Sequence, residues 1–160
     1  MQYRSIETPI GPLLMAGDAD GLRFLLFGNG RDVVKPDPAW ESDRGLLKEP
    51  LRQLDLYFKG KLRDFDFPVA PQGTGFRRSV WAQLQQIPYG ETISYGELAR
   101  RLGHPKAVRA VGLANGSNPI SIVIPCHRVI GSNGSLVGYG GGLPVKQALL
   151  ALESGQGRLL

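Results

Sequence analysis

The sequence predicts a mixed α/β (α+β) fold, in which a small N-terminal antiparallel sheet with one helix precedes a mostly helical C-terminal domain. Three observations predict it. Short β-rich runs separated by turn-forming residues fill the first 27 positions, apolar residues recur at helical spacing from Leu47 onwards, and short helical segments dominate after position 74. The 160 residues, 42% of them hydrophobic, suffice for one sizeable core or two small ones.

The N-terminal unit begins with three predicted strands. Tyr3–Thr8, Leu13–Gly17 and Leu22–Phe27 are separated by clusters of Gly, Pro and Asp, an arrangement typical of an antiparallel meander. Apolar residues then recur at spacings of three and four over 47–58, which predicts a helix. Pro50 lies inside this stretch, where it either occupies the first turn of the helix or kinks it.

A domain boundary is predicted in the extended stretch Phe65–Gly75, which contains two prolines and two glycines. It separates an N-terminal α/β domain over 1–73, expected to be structural, from a second domain over 74–160. The formal net charge is −1 before the boundary and +6 after it. This asymmetry indicates either a surface that faces a polyanion or a solvated basic face, and charge alone favours neither.

The second domain is predicted to be built from short helices. The first covers 76–87, and Thr74 is its candidate N-cap because a threonine hydroxyl can accept a hydrogen bond from a free N–H of the first turn. Further along, Ile120–Ile124 is expected to form a buried strand or extended segment, Gly131–Gly142 a glycine-rich loop, and Val145–Leu152 the last helix.

Two short helices in this domain suggest a helix-turn-helix over about 94–116. Ser94 and Glu97 fit a capping box at the start of a helix Tyr95–Leu102, and Pro105 stands where a second helix is expected to begin. Most residues of the second helix are small, whereas major-groove readout needs long polar side chains. This helix is therefore either a tightly packed core helix or one that approaches a narrow groove through backbone and phosphate contacts.

The clearest candidate for chemistry is the segment Pro125-Cys126-His127-Arg128. Cys126 is the only cysteine, which excludes an internal disulfide and a cysteine-rich zinc site and is typical of a reducing, cytoplasmic compartment. A thiol becomes a nucleophile when a base or a positive charge favours the thiolate, and His127 and Arg128 are adjacent. Cys126 and His127 can cooperate only if the chain turns at the cysteine or a water joins them. A buried, inert cysteine is the alternative.

Several classes of protein are disfavoured. A papain-like hydrolase places its histidine far downstream of the cysteine, and no histidine follows His127. The glycine-rich loop lacks a following Gly-Lys-Ser/Thr, so it is better interpreted as a flexible wall or lid near a ligand than as a phosphate-binding loop. No apolar run approaches the roughly 18 residues of a membrane span.

At this point the motifs resemble a known family. From Phe76 to Glu153 the sequence is similar to the catalytic domain of the O6-alkylguanine-DNA alkyltransferases (methylated-DNA–protein-cysteine methyltransferases), which repair DNA by direct reversal. Residues 1–73 match more loosely. Because no zinc regulatory domain is present, the single-copy bacterial type is the nearest resemblance. The matching motifs, in family order and spacing, include GETISY at 90–95, PKAVRAVG at 105–112, Asn118-Pro119, IVIPCHRVI at 122–130 and Gly138-Tyr139.

The resemblance implies that Cys126 accepts the alkyl group of a base flipped out of the duplex. His127 would draw off the thiol proton through a water, and Glu153 would orient its imidazole. Asn118 would brace the helix-turn-helix against the cysteine segment. Tyr95 would bond the flipped base and help to protonate the leaving guanine. The thioether product resists hydrolysis, so the protein is expected to act once, with no cofactor and no metal.

The resemblance also implies a substrate pocket and a DNA surface. The pocket would include the Val129 carbonyl, which accepts the exocyclic amine, the wall residues Leu136 and Tyr139, and the N–H of Gly140, which faces O6. Arg109 would fill the gap left by the flipped nucleotide. The expected partner is double-stranded DNA with alkylated bases, bound through its minor groove by a monomer, with several copies able to load along DNA and no membrane contact. Further DNA-binding residues would be Lys106, Ala107, Ala110, Gly112, Ala114 and Asn115.

Three alternatives stay open: a lesion sensor that flips the base without transfer, a thiol hydrolase with turnover, and a plain helix-turn-helix regulator. The presence of Cys126 together with His127, Asn118 and Glu153 favours transfer over the lesion sensor, because the known sensors of this kind replace the cysteine. Ser121 and Asn115 stand where some relatives carry bulkier residues. This predicts a roomier pocket that takes larger alkyl groups or O4-alkylthymine.

Overall fold

The computed structural model describes residues 1–28 and 34–155. The remaining positions, which include the start of the Pro- and Asp-rich stretch 31–38 and the end of the predicted second domain, lie outside the described residues. The described chain forms strands β1 (Gln2–Thr8), β2 (Gly11–Asp18), β3 (Gly21–Phe27), β4 (Glu41–Ser42), β5 (Ile93–Ser94) and β6 (Val129–Ile130), and helices α1 (Lys48–Phe58), α2 (Gly75–Leu84), α3 (Tyr95–Arg101), α4 (Val108–Gly116) and α5 (Leu143–Glu153).

The N-terminal sheet has the strand order β3-β2-β1-β4. The three predicted strands are confirmed as an antiparallel meander, and the short β4, which the sequence analysis did not predict, pairs in parallel with β1. The central strand β2 is buried from Leu13 to Gly17. Pro50 is the third residue of α1, so it occupies the first turn and does not kink the helix.

The helices of the second unit differ from prediction at their ends. The Thr74 cap is confirmed, because its hydroxyl accepts from the Arg77 N–H at 3.1 Å, but α2 ends at Leu84 and not at 87. Ser94 Oγ accepts from the Glu97 N–H at 3.0 Å. The return bond of the predicted capping box is not observed, because the Glu97 carboxylate pairs with arginines one turn further along.

The second helix of the helix-turn-helix begins at Val108, so the predicted start at Pro105 is wrong. The Ala107 N–H donates to the His104 carbonyl at 2.9 Å, which closes a four-residue turn with Pro105 at its second position. Proline favours that position because its ring fixes φ near the value the turn needs. The connection between α3 and α4 is therefore longer than expected by about one turn of helix.

The three isoleucines of the segment Ile120–Ile124 are buried and the two residues between them are partly exposed, but the segment is not a strand. Only Ile120 pairs with the sheet, opposite Leu25 of β3. The chain then folds back, since the Ile124 N–H donates to the Ile120 carbonyl at 3.0 Å. Ile122 has φ 73°, which is strained for a β-branched residue. Strain of this kind clusters at functional sites, and this turn leads directly into Cys126.

The apolar core is continuous between the two units. β3 contacts the second unit through the Leu25–Ile120 pair, and the Tyr57 hydroxyl of α1 donates to Glu153 of α5 at 2.6 Å. One cluster of buried side chains contains Leu25, Tyr57, Trp81 and Cys126. No described helix has the length and apolar content to cross a membrane. The boundary at 73/74 and the cytoplasmic location stay predictions.

Candidate active site

Cys126 lies in a single turn of 3-10 helix, Cys126–Arg128, between the strained turn and β6. The chain thus turns at the cysteine, which is the condition for cooperation with His127. Cys126 is 7% exposed and borders a cavity of about 180 Å³. The thiol is therefore shielded from bulk water yet faces a space that a small ligand group can enter.

Asn118 holds the segment before the cysteine in its folded shape. Its Nδ2 donates to the Ile124 carbonyl at 2.7 Å, and its Oδ1 accepts from the Ile120 N–H at 2.9 Å. One buried amide thus satisfies both ends of the turn that precedes Cys126. Both bonds stay within 118–124, so the role that the resemblance implies for Asn118, to brace the helix-turn-helix against the cysteine segment, stays a prediction.

His127 and Glu153 form a buried pair behind the cysteine. The His127 Nε2 lies 2.7 Å from Glu153 Oε2, and both side chains are almost fully buried. The His127 Nδ1 has no hydrogen-bond partner among the described residues. Since a carboxylate only accepts, Nε2 carries the proton and Nδ1 presents a lone pair. Nδ1 is therefore the atom able to accept a thiol proton.

Four hydrogen bonds saturate the Glu153 carboxylate. Arg128 Nε donates to Oε1 at 2.7 Å, and Arg128 Nη2 and the Tyr57 hydroxyl donate to Oε2 at 3.0 and 2.6 Å; the fourth donor is His127. Burial alone raises the pKa of Glu153, but the hydrogen bonds from His127 and Arg128 and the charge of Arg128 outweigh it and hold the pKa at about 2. Glu153 is thus a fixed anion at neutral pH.

The Cys126 thiol and His127 are both held in their neutral forms. Burial raises the pKa of Cys126 and outweighs the Asn118 hydrogen bond and the charge of Lys146, both of which lower it. Burial also lowers the pKa of His127 and outweighs the opposing effect of Glu153. The thiol is therefore a protonated resting group whose proton must leave during the reaction, and His127 is free to take it.

The positive charge near the thiol comes from a residue that the sequence analysis missed. Arg128, which was expected to favour the thiolate, points to Glu153 and to the Ile87 carbonyl. The buried Lys146 of α5 takes that role, because its charge lowers the pKa of Cys126. Its Nζ also donates to the carbonyls of Val129 at 2.6 Å and Val137 at 3.0 Å. The sequence did contain a signal for Lys146, because it is a single lysine in register with the apolar stripe of the last helix.

The cavity beside Cys126 has polar walls with unpaired atoms. The Asn115 Oδ1 and the Tyr139 hydroxyl are buried and have no partner in the described structure. Unpaired buried groups are costly, so both are suited to a ligand that bonds them. Gly140 adds a backbone edge with open space where a side chain would stand. Besides Cys126, the lining residues are Leu26, Phe27, Asn115, Gly116, Asn118, Ser121, Gly138, Tyr139 and Gly140.

Some predicted pocket residues lie elsewhere. Leu136 borders a separate cavity with Gly90 and Thr92. Val129 is fully buried, and its carbonyl already accepts from a lysine. Leu26 and Phe27 of β3 form part of the cavity wall instead. No local pattern in the sequence indicated them, since they reach the site only through the packing of the two units.

Tyr95 stands at the start of α3 and is half buried. Its ring lies under Gly112 of α4, where a Cβ would sit 3.8 Å from it, and its hydroxyl donates to the Val137 carbonyl at 3.2 Å. Burial raises the pKa of Tyr95, so the hydroxyl remains a proton donor. It is not among the residues that border the cavity in this structure.

The outer face of α4 differs from the predicted DNA surface at two positions. Lys106, Arg109 and Ala110 are exposed, as a contact surface requires. Ala114 is 3% exposed and faces the core, and Asn115 belongs to the cavity. The helical period turns both residues away from the face that carries Arg109. One turn after Arg109, Leu113 is 71% exposed. The sequence analysis missed Leu113.

Fold and site together define a class of protein: a cysteine that faces a cavity and a buried His–Glu pair occur together with a helix-turn-helix. Residues 1–71 match the model of the ribonuclease-like domain of 6-O-methylguanine DNA methyltransferase, and residues 75–155 match that of its DNA-binding domain. The chain therefore belongs to the 6-O-methylguanine DNA methyltransferase family. This confirms the resemblance found in the sequence.

Relatives match over nearly the whole chain. A methylated-DNA–protein-cysteine methyltransferase of Methanosarcina acetivorans is 52% identical over 153 residues, which cover 96% of this chain and 98% of that protein. The crystal structure of Mycobacterium tuberculosis OGT in complex with DNA is 47% identical, with a TM-score of 0.91 over 99% of this chain and 96% of that one. The structure of an O6-methylguanine DNA methyltransferase from Methanococcus jannaschii is 28% identical, with a TM-score of 0.64 over 94% and 93%. The mixed fold is thereby confirmed.

Proposed function

We propose that this protein repairs alkylated DNA directly, by moving the alkyl group from O6 of guanine to the sulfur of Cys126. The predicted class of activity, methyl transfer from DNA to a protein cysteine, is that of the family. One observation carries the assignment to this residue: the thiol faces a cavity, and the buried His127–Glu153 pair lies behind it. The transfer needs a nucleophile, an adjacent base and a shielded space, and all three occur together here.

The reaction balances without a cofactor. The Cys126 sulfur attacks the alkyl carbon, an S–C bond forms, and the C–O6 bond breaks. The thiol proton passes to Nδ1 of His127 through a bridging water, and Glu153 stabilises the imidazolium that results. The leaving guanine would take a proton from the Tyr95 hydroxyl, which would turn from the Val137 carbonyl towards the cavity. The His127 imidazolium would then return a proton to Tyr95 through water, so that both side chains end neutral. Because a thioether offers water no carbonyl to attack, each molecule acts once.

The base would enter the cavity after it flips out of the duplex. The unpaired Tyr139 hydroxyl, the Asn115 Oδ1 and the Gly140 N–H supply donors and an acceptor for the edges of a base. Flipping costs least for a damaged base, which favours lesions. Ser121 at the wall leaves room beside the sulfur, in keeping with larger alkyl groups or O4-alkylthymine as further substrates.

DNA would contact the outer face of α4 through the minor groove, with one monomer at each lesion and further copies loading alongside. Arg109 would enter the duplex and fill the space that the base leaves. Small residues at Ala107, Ala110 and Gly112 allow close approach. Leu113, one turn from Arg109 and largely exposed, would add an apolar contact to the groove.

Intact mass after mixing with a duplex that carries one O6-methylguanine tests the proposal. We expect a gain of one methyl group per molecule, mapped to Cys126 and absent from Cys126→Ser. Tight binding without a mass change would identify a lesion sensor, and repeated turnover would identify a hydrolase. The same assay with O6-benzylguanine tests the roomier pocket, since failure to transfer the benzyl group would exclude it.

A further inference from the structure

Tyr57 of α1 reaches the active site from the N-terminal unit. Its side chain is fully buried, and its hydroxyl donates to Glu153 Oε2 at 2.6 Å, across 96 residues of sequence. This is the same oxygen that binds His127 Nε2 at 2.7 Å. The two donors therefore converge on one atom, and a change at either alters the bond of the other.

The Tyr57 hydroxyl can only donate in this position. Burial raises the pKa of Tyr57, and the charge of Glu153 raises it further, so the phenol stays protonated. Its ring packs in an aromatic cluster with Phe58, Phe65 and Tyr89. Packing accounts for an aromatic ring at this position but not for its hydroxyl, because a phenylalanine ring would fill the same space.

We propose that Tyr57 is a positioning residue of the alkyl-transfer reaction: its hydroxyl fixes the Glu153 carboxylate and, through it, the orientation and basicity of His127. This inference rests on the proposed function. It gives the N-terminal unit a part in the chemistry beyond structural support. Tyr57 acts through Glu153 and does not touch the reacting atoms.

The direction of the effect follows from the charges around His127. The groups that face the His127–Glu153 pair are Arg128 and Cys126 on the same turn, Lys146 on α5, Tyr57 from α1, Tyr89 from the loop after α2, and Tyr139 from the glycine-rich loop. Without the Tyr57 donor, the carboxylate is less neutralised and stabilises the charged imidazole more. The pKa of His127 should therefore rise, and less of the neutral base is present at low pH.

The test compares full-length Tyr57→Phe with wild type in single-turnover transfer from a duplex containing O6-methylguanine, from about pH 5 to pH 8. At saturating DNA we expect the rate to fall about tenfold at neutral pH and by more at lower pH, with unchanged DNA affinity. Tyr3→Phe is the control. It removes a tyrosine hydroxyl from β1 of the same N-terminal unit, and that hydroxyl is not among the groups that bond Glu153 or His127. We expect it to transfer at the wild-type rate.

A second measurement needs no DNA. The chain has two histidines, so NMR can follow the His127 imidazole directly through a pH titration. We expect its pKa to be higher in Tyr57→Phe than in wild type and unchanged in Tyr3→Phe. In a Glu153→Gln background, Tyr57→Phe should have no further effect on rate, since Tyr57 acts only through the carboxylate.

Unchanged His127 titration together with an unchanged rate would overturn the inference. So would a loss of rate that is equal at every pH, because that is the signature of a purely structural defect. If wild type gains no alkyl group, the proposed function fails, and the titration still decides whether Tyr57 controls His127. The two failures are thus separate results.

Discussion

Replacing Glu153 with glutamine tests the His–Glu pair most directly. Glutamine keeps the shape of the side chain but replaces one carboxylate oxygen with an NH₂ group. Tyr57, His127 and Arg128 all donate to the same oxygen, Oε2. In glutamine one of the two oxygens becomes an NH₂ donor, so whichever way the amide points, at least one group that donates to Glu153 faces another donor and must rearrange. His127 can adapt by moving its proton to Nδ1, which leaves no lone pair for the thiol proton.

We expect Glu153→Gln to lose both transfer rate and folding stability, and each loss is large. A catalytic histidine held in the wrong tautomer costs about 10⁴-fold in rate, and we expect the single-turnover rate at saturating DNA to fall by about that amount. The variant also leaves the buried Arg128 guanidinium without its anion. Breaking a buried pair in this way costs about 3–5 kcal/mol, a large part of the roughly 5–15 kcal/mol of a typical domain.

Intact mass against time gives the rate, and urea unfolding gives the free energy of unfolding. Glu49→Gln is the matched control, because Glu49 is an exposed carboxylate of α1 that pairs with Arg52 far from Cys126. It should transfer at the wild-type rate. A Glu153→Gln variant that folds and transfers within about threefold of wild type would refute the role given to the pair.

Three further predictions follow from the same structure. The pKa of Glu153 is about 2 in the folded state, below its ordinary value of 4.5, so the unfolded chain binds protons first as the pH falls. Stability should therefore decrease between about pH 4.5 and pH 2, and this part of the decrease should vanish in Glu153→Gln when urea unfolding is compared across pH. Lys146→Met leaves the Val129 and Val137 carbonyls without their donor, so we expect a loss of about 1–3 kcal/mol in urea unfolding and slower transfer; a variant as stable as wild type would contradict this. Leu113→Ser should weaken DNA binding in a fluorescence titration and leave the thermal unfolding midpoint unchanged, since the side chain is 71% exposed; unchanged affinity would remove Leu113 from the interface.

Local patterns predicted most of the elements but not every end. The alternation of strands and turns before residue 28 was sufficient for the meander, and helical spacing was sufficient for α1, α2 and α5. Pro105 suits both the first turn of a helix and the second position of a tight turn, so the sequence could not decide where α4 begins. The β-branched run before Cys126 favoured a strand, but the Asn118 side chain closes it into a turn.

The sequence by itself determined the family and predicted the candidate nucleophile with its neighbours in the chain, because the motif around Cys126 is specific and local. Tertiary structure alone decided which groups surround them. Tyr57 and Phe27 reach the site from the N-terminal unit, Lys146 replaces Arg128 as the charge near the thiol, and Leu136 points to another cavity. Side-chain periodicity tells which face a residue occupies, whereas partners distant in sequence are chosen by packing, which no local pattern records.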